Sequence, residues 1–235
     1  MGIPSRQSSA LVNQIRKSSF LAEVGNEEIN RFVEFAKSCI LHPGAEIFQQ
    51  NQPCSFVYLL TEGKVRLYRT SALGQERTID FISAGELFGE AGMFSGTGYP
   101  FSSAASEGGE AIAFDAFRFN RVLYSRPDLT LKMLSSVSRQ LVRMFDRVDA
   151  LKGRCATSKV AFYLLHADRQ SREGWLVDLP FRRSDLANLL GIQAETLCRI
   201  LAKFRKQGWV KAEGPRLRIS DAAALHTLLN DKEAR

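Results

Sequence analysis

The stretch Arg182–Gly208, RRSDLANLLGIQAETLCRILAKFRKQG, reads as two short amphipathic helices joined by a tight turn. In the first, Leu186, Leu189 and Leu190 share a face. In the second, Leu197, Ile200, Leu201 and Phe204 recur at i, i+3, i+4 and i+7, so each helix buries one side and leaves the other free. Gly191 stands where the first helix needs a left-handed C-terminal residue, a conformation that costs little only without a Cβ. Ala187 is small, as required where two helices cross steeply. Together these features predict a helix-turn-helix.

The free side of the second helix carries Gln193, Glu195, Thr196, Arg199, Lys203 and Lys206. Glu195 and Arg199 are i,i+4 neighbours near the helix N-terminus, the end that enters a major groove. A carboxylate accepts from cytosine N4 and a guanidinium grips guanine O6 and N7, while lysines hold phosphate. With Arg183 at the head of the first helix, these residues are the expected DNA contacts. The competing reading of the pair is a solvated i,i+4 salt bridge.

The charge distribution agrees with a polyanion-binding C-terminal part. Lys plus Arg minus Asp plus Glu is 17 − 16 = +1 over residues 1–152 and 15 − 9 = +6 over residues 153–235. Length allows one large or two modest domains. No apolar run approaches a membrane span and no signal-like segment opens the chain, so a cytoplasmic protein is expected. Cys39, Cys54, Cys155 and Cys198 are scattered without a C-x-x-C pair, which predicts reduced thiols rather than a zinc knuckle or disulfides.

Upstream, the first forty residues look helical, with Leu11, Ile15, Phe20 and Leu21, then Ile29, Phe32, Val33 and Ala36 as apolar faces. From His42 to Phe114 the texture changes to short runs, EIFQQ, FVYLLTEG, KVRLYRT, RTIDFIS, FSSAAS and EAIAF, separated by glycine turns. That spacing predicts a compact antiparallel β-roll or barrel. The region has no nucleophile elbow and no Walker lysine, and His42, His166 and His226 are isolated, so no catalytic constellation is expected.

Asp115–Tyr124 is helical in period, and Pro127 suits the first turn of a new helix. That helix places Leu134, Val137, Leu141, Met144, Val148 and Leu151 at alternating steps of three and four, a heptad seam that predicts a two-stranded coiled coil between subunits. Its alternative is a stripe packed on its own β-roll, and Val142 and Phe145 broaden the stripe enough for both to hold. After Gly153 come a helix over Lys159–His166, a strand over Trp175–Leu179, the helix-turn-helix, and a hairpin of Trp209-Val210 with Leu217-Arg218-Ile219 around Glu213-Gly214-Pro215. The second domain is therefore expected to be winged.

Gly85-Glu86-Leu87-Phe88-Gly89-Glu90, a long helix opened by Arg126-Pro127-Asp128, and Glu195-Thr196-Leu197-Cys198-Arg199 in a winged helix resemble the cyclic-AMP receptor protein/FNR family of bacterial transcription regulators. The resemblance covers nearly all of the chain after its first twenty residues. Within the family, Glu90-Ala91-Gly92-Met93-Phe94, Phe117-Arg118-Phe119 and Ile192-Gln193-Ala194-Glu195-Thr196 look most like the Dnr and HcpR regulators of nitrosative stress. The fold so implied is α+β: a sensor β-roll with flanking helices over 1–127, a dimerisation helix over 128–153, and a winged helix-turn-helix over 154–235. The implied partners are double-stranded DNA, with TTGA-like half-sites in an inverted repeat, a second copy of the chain, and RNA polymerase. No membrane partner is implied.

Departures from the family pattern bear on the signal. Members that bind cyclic AMP hold its phosphate with an Arg-Ser pair after the Gly-Glu element and its adenine with a Thr-Ser pair on the long helix. Here the first falls in Tyr99-Pro100-Phe101-Ser102-Ser103 and the second on Met144-Phe145, although Glu90 is kept. A buried phosphate without a cation is badly unfavourable, so cyclic AMP is not expected. FNR holds an iron-sulfur cluster on N-terminal cysteines, and this chain has no cysteine before Cys39. The Dnr and HcpR resemblance implies haem in an apolar pocket, with Leu87, Phe88, Gly89, Glu90, Pro100, Phe101, Ser102, Met144 and Phe145 as candidate lining. The axial ligand stays open: His42 lies in the sensor, and Met144 is a second candidate, although a methionine at a seam position is usually packing. Cys198, beside Arg199, reads either as a small residue near the DNA backbone or as an oxidisable thiol. A regulator without effector, or one controlled by thiol oxidation, is the alternative within the same architecture.

Overall fold

A computed structural model of the chain describes residues 5–16, 18, 20–22, 24–151, 155–167, 176–179, 182–214 and 216–230. It divides into two compact units, Met1–Gln140 and Leu141–Arg235. The division falls inside the long helix.

The first unit opens with α1 (Ser5–Ile15) and α2 (Asn26–Val33). It continues with β1 (Ala36–Leu41), β2 (Glu46–Phe48), β3 (Phe56–Glu62), β4 (Lys64–Thr70), β5 (Glu76–Ser83) and β6 (Leu87–Phe88). Then come α3 (Glu90–Ser95), β7 (Ser102–Ala105), β8 (Gly109–Asp115), α4 (Ala116–Ser125) and the start of α5 (Pro127–Leu151). The strands form two four-stranded sheets, β1-β8-β3-β6 and β2-β7-β4-β5, with every pairing antiparallel. This is the expected β-roll. Residues 36–40, expected to be helical, instead belong to β1, because Ala36 to Leu41 pair in register with Phe114 to Gly109 of β8. That non-local ladder overrides the local helical period.

The sheet β1-β8-β3-β6 separates two cores. Alternate residues of a strand face opposite sides. Val57 and Leu59 of β3, with Ile112 and Phe114 of β8, pack against Leu11, Ile15, Phe32 and Phe119 of the helices. Tyr58 and Leu60, with Ala111 and Ala113, face the roll interior beside Phe48, Val65 and Ile82. β3 is therefore buried on both faces, which explains its unbroken apolar run FVYLL. The turn into β4 forces close backbone approach: Gly63 has φ +87, and a Cβ there would lie 2.7 Å from the Gly108 carbonyl.

Helix α4 is capped by Asp115, whose carboxylate accepts from Arg118 N at 2.9 Å. Pro127 opens α5 as expected for a residue lacking an N–H. Arg126 is salt-bridged to Glu28 of α2 and, at 2.9 Å, to Asp128, which ties the head of α5 to the helical layer. Leu129 and Met133 bury themselves in that layer.

The second unit holds α6 (Ala156–His166), β9 (Leu176–Asp178), α7 (Arg183–Leu190), α8 (Ala194–Lys206), β10 (Val210–Glu213), β11 (Arg216–Ile219) and α9 (Ala222–Asn230). β10 and β11 form the predicted hairpin, Val210 pairing with Ile219, and β9 adds a third strand. Trp175, Gly153 and Pro215, named in the sequence reading, lie outside the described residues. One core joins Val160 and Leu164 of α6, Leu186 and Leu190 of α7, the apolar face of α8, Val210, Leu217 and Leu225. Ser158 donates to the Leu228 carbonyl at 2.7 Å, pinning α6 to α9. Among the described residues no helix is long and apolar enough to cross a membrane.

Candidate nucleic-acid interface and sensor interior

The turn between α7 and α8 is built as the sequence predicts. Gly191 has φ +61, and Ile192 N donates back to Ala187 O at 3.0 Å, closing α7 so that the chain can re-enter a helix within three residues. Ala187 is buried at the crossing. Leu197, Ile200, Leu201 and Phe204 are all buried. Of the α7 face, Leu186 and Leu190 are buried, whereas Leu189 is only partly so. Phe204 also meets Trp209 at 5.4 Å between ring centroids, which holds the end of α8 to the wing.

With that face committed to the core, the opposite one is presented outward. Gln193, Glu195, Arg199, Lys203 and Lys206 are exposed and Thr196 is half-buried. Glu195 and Arg199 do not pair: among the described residues neither makes an ion pair or a side-chain hydrogen bond. The solvated salt bridge is thus not formed, and both groups have their full hydrogen-bonding capacity available. Arg183 is exposed on α7 and reaches α8, donating to the Cys198 sulfur at 3.8 Å. Sequence reasoning missed Asp185, a carboxylate buried in the first turn of α7.

On α5, exposure is 60% for Leu134, 37% for Val137, 52% for Leu141 and 37% for Met144. Val142 and Phe145 are exposed too. The residues that do pack on the chain's own helical layer are Leu129 and Met133, so the heptad face remains open. Val148 and Leu151 are helical in backbone, but their side chains lie outside the described residues.

Within the first unit, the expected effector residues Leu87 and Phe88 do not share one lining. Leu87 and Phe88 are successive on β6 and so point apart, Leu87 into the helical core and Phe88 into the roll interior. Phe88 lies in a ring cluster, 5.1 Å from Tyr58, and Phe48 stacks on Tyr99 at 3.9 Å and 12°. The Tyr99 hydroxyl donates to Phe56 O at 2.7 Å and accepts from Phe56 N at 3.1 Å, which locks the ring in place. Phe48 and Tyr58 are interior residues the sequence reading left unassigned, and their signal is strand alternation toward the roll interior, whereas Tyr99 lies between α3 and β7. Burial pushes the Tyr58 hydroxyl up to about 12 and that of Tyr99 higher still.

Gly89 adopts φ +85 at the head of α3, where a Cβ would crowd the Tyr99 and Phe48 rings. Glu90 is buried, and its Oε2 has no hydrogen-bond partner. Loss of solvent pushes its carboxyl up to about 7, its own backbone N–H opposing that and Glu86 adding to it. Ser102 is buried and accepts from Gln50 N at 2.9 Å, while the Ser103 hydroxyl is buried without a partner. Pro100 and Phe101 are half-buried, and a cation lies beside them after all: Arg69 of β4 donates to Pro100 O at 3.2 Å and sits 5.0 Å from the Phe101 ring centre. That arginine comes from a neighbouring strand and cannot be located by reading along 99–103. Met144 and Phe145 belong to the other unit.

His42 is exposed, and among the described residues no group of three or more His, Cys, Asp or Glu could hold a metal ion. Burial pushes the Cys39 and Cys54 thiols up, whereas the Ser158 hydroxyl holds exposed Cys155 below its ordinary value.

Both halves of this arrangement match known domains. A cyclic nucleotide-binding domain matches residues 39–126 and a Crp-like helix-turn-helix domain matches residues 158–228. The transcriptional activatory protein AadR of Rhodopseudomonas palustris is 30% identical over 197 residues, spanning 82% of this chain and 81% of its own. The cyclic AMP receptor protein of Thermus thermophilus is 29% identical over 202 residues, 86% of this chain and 92% of its own. The structure of FixK2 from Bradyrhizobium japonicum shares the fold, with a TM-score of 0.75 at 23% identity over 82% of this chain and 96% of that one. The chain belongs to the CRP/FNR family of DNA-binding transcription regulators, which are not enzymes.

Proposed function

We propose that the protein acts as a homodimer on an inverted repeat, each copy laying α8 in a major groove, with the β-roll sensing a small signal other than cyclic AMP. The observation that carries this reading is the pair Glu195 and Arg199, exposed and unpaired on a helix whose opposite face is fully buried. Arg199 then reads a guanine and Glu195 a cytosine, while Gln193, Thr196, Lys203, Lys206 and Arg183 fix the helix on phosphates. The resemblance to FNR-type regulators supports TTGA-like half-sites and RNA polymerase as a further partner. Ala194 adds no base contact of its own.

The open apolar face of Leu134, Val137, Leu141 and Met144 supports the two-fold assembly, since a coiled-coil seam buries such residues against a second copy. In this reading residues 1–127 are the sensor, 128–153 the dimer helix and 154–235 the reader. Two readers related by a two-fold axis require half-site centres about 34 Å apart, one helical turn. Footprinting on repeats of varied spacing tests this: protection should be confined to spacings of one turn or its multiples, and indifference to spacing would refute the dimeric reader.

The interior of the roll speaks against a cyclic nucleotide, because Phe48, Tyr58, Phe88 and Tyr99 fill it. Haem with nitric oxide, the chemistry that the Dnr and HcpR resemblance implies, needs an axial donor within the sensor. The histidine of that unit, His42, is exposed, and the roll interior is occupied by Phe48, Tyr58, Phe88 and Tyr99. These residues do not fit haem. The thiol-controlled alternative is favoured by one contact, Arg183 to Cys198, because oxidation of that sulfur would disturb a phosphate-binding arginine.

A further inference from the structure

We propose that Arg69 and Arg77, flanked by Phe101, form a binding site for a small phosphate-monoester dianion on the β4–β5 side of the roll. Arg69 of β4 and Arg77 of β5 are paired directly across the ladder. Side chains so paired leave the sheet on the same face with Cβ atoms roughly 4.5–5.5 Å apart, and like charges there repel. On β4, Val65, Leu67 and Arg69 alternate onto one face, and Val65 and Leu67 pack in the roll interior. Arg69 therefore continues the interior face past the edge of its core, where both arginines are exposed.

The other neighbour of β4 completes a row. Ser102 of β7 pairs with Tyr68, which brings Phe101 alongside Arg69, and the guanidinium lies 5.0 Å from the ring centre. Ring, guanidinium and guanidinium thus follow one another from the residue preceding β7 across β4 to β5. Nearby carboxylates leave the two charges uncompensated. Glu76 is salt-bridged to Arg66 at 2.5 Å, and among the described residues no carboxylate forms an ion pair with Arg69 or Arg77. Among the described residues Arg77 has no ion pair or side-chain hydrogen bond, and Arg69 donates only to the Pro100 carbonyl.

Two forks with free N–H groups in a fixed register match a tetrahedral dianion, which accepts bidentately from each and removes their repulsion. The ring beside Arg69 offers a flat apolar wall to whatever the phosphate is attached to. The site uses no residue of the DNA reader, so its fate is independent of that of the base contacts.

Thermal unfolding of the full chain at constant ionic strength, in chloride, inorganic phosphate or AMP, tests the assignment, with Arg77→Gln and Arg69→Gln beside the wild type. Ligand that binds only the folded state raises the melting temperature. The wild type should gain several degrees in phosphate or AMP. Both variants should lose most of that gain, and Arg77→Gln should melt no lower than wild type in chloride because a repulsion has been removed. A larger response to AMP than to phosphate identifies an organic phosphate as the ligand, and equal responses identify the free ion. Equal gains in all three proteins, or none in the wild type, would overturn the site.

Discussion

The two units treat their polar side chains in opposite ways. On α8 the groups that matter, Glu195 and Arg199, are exposed, unpaired and mounted on a helix fixed by four buried apolar residues. In the roll, Glu90 Oε2 and Ser103 Oγ are buried without partners, among rings that fill the interior. The first arrangement is finished before its ligand arrives and needs only a matching surface. The second carries the desolvation cost of unsatisfied groups, which a bound signal or a shift in packing can relieve. Difference of that kind suits a regulator, since a signal can act only through states that it binds unequally.

Breaking the assembly should give the largest effect. Leu141→Glu would bring two facing carboxylates into the seam, and it should yield monomers by light scattering with operator binding abolished. A variant that stays dimeric would place the subunit contact elsewhere.

The buried carboxylate offers the next test. Glu90 titrates near its ordinary 4.5 in the unfolded chain and at about 7 when folded, so the folded state holds the proton more tightly. Its contribution is therefore most favourable below pH 4.5, declines as pH rises to about 7, and then levels off. The total is on the order of 3 kcal/mol, from roughly 1.4 kcal/mol for each pH unit. Glu90→Gln should flatten this part of the pH dependence of denaturant stability, and an unchanged slope would show that Glu90 is hydrated.

How far the chain can be read without its structure follows the same division. The reader is legible because its helices each bury one face: Leu197, Ile200, Leu201 and Phe204 repeat at helical spacing, and Gly191 marks the turn. The roll is legible as a set of strands but not in its interior. β3 buries Val57, Tyr58, Leu59 and Leu60 in succession, so periodicity cannot tell which of them face the helices and which the roll. Likewise Leu87 and Phe88 are neighbours in sequence yet belong to different cores. Arg69 meets Phe101 only through the pairing of β4 with β7. Contacts made across strands carry no local signal, and β1 is mistaken for helix for that reason.

The smallest effect is expected at Cys198. Cys198→Ser keeps a small polar side chain near Arg183 and should change operator affinity by only a few tenths of a kcal/mol, while a peroxide-induced loss of binding, if the thiol is the switch, should vanish in the variant. Peroxide sensitivity that persists would move the redox chemistry to another residue.

The central claim is that α8 reads bases rather than merely adhering to DNA, and Arg199→Ala tests it most directly. Affinities of wild type and variant should be titrated on a TTGA inverted repeat, on the repeat with its guanine replaced, and on random duplex, all at one salt concentration. The account predicts a loss of about 1–3 kcal/mol on the intact repeat, little change on the replaced or random duplexes, and relaxed preference at that one base pair. An equal loss on all three duplexes would make Arg199 a phosphate contact and contradict base reading by this helix.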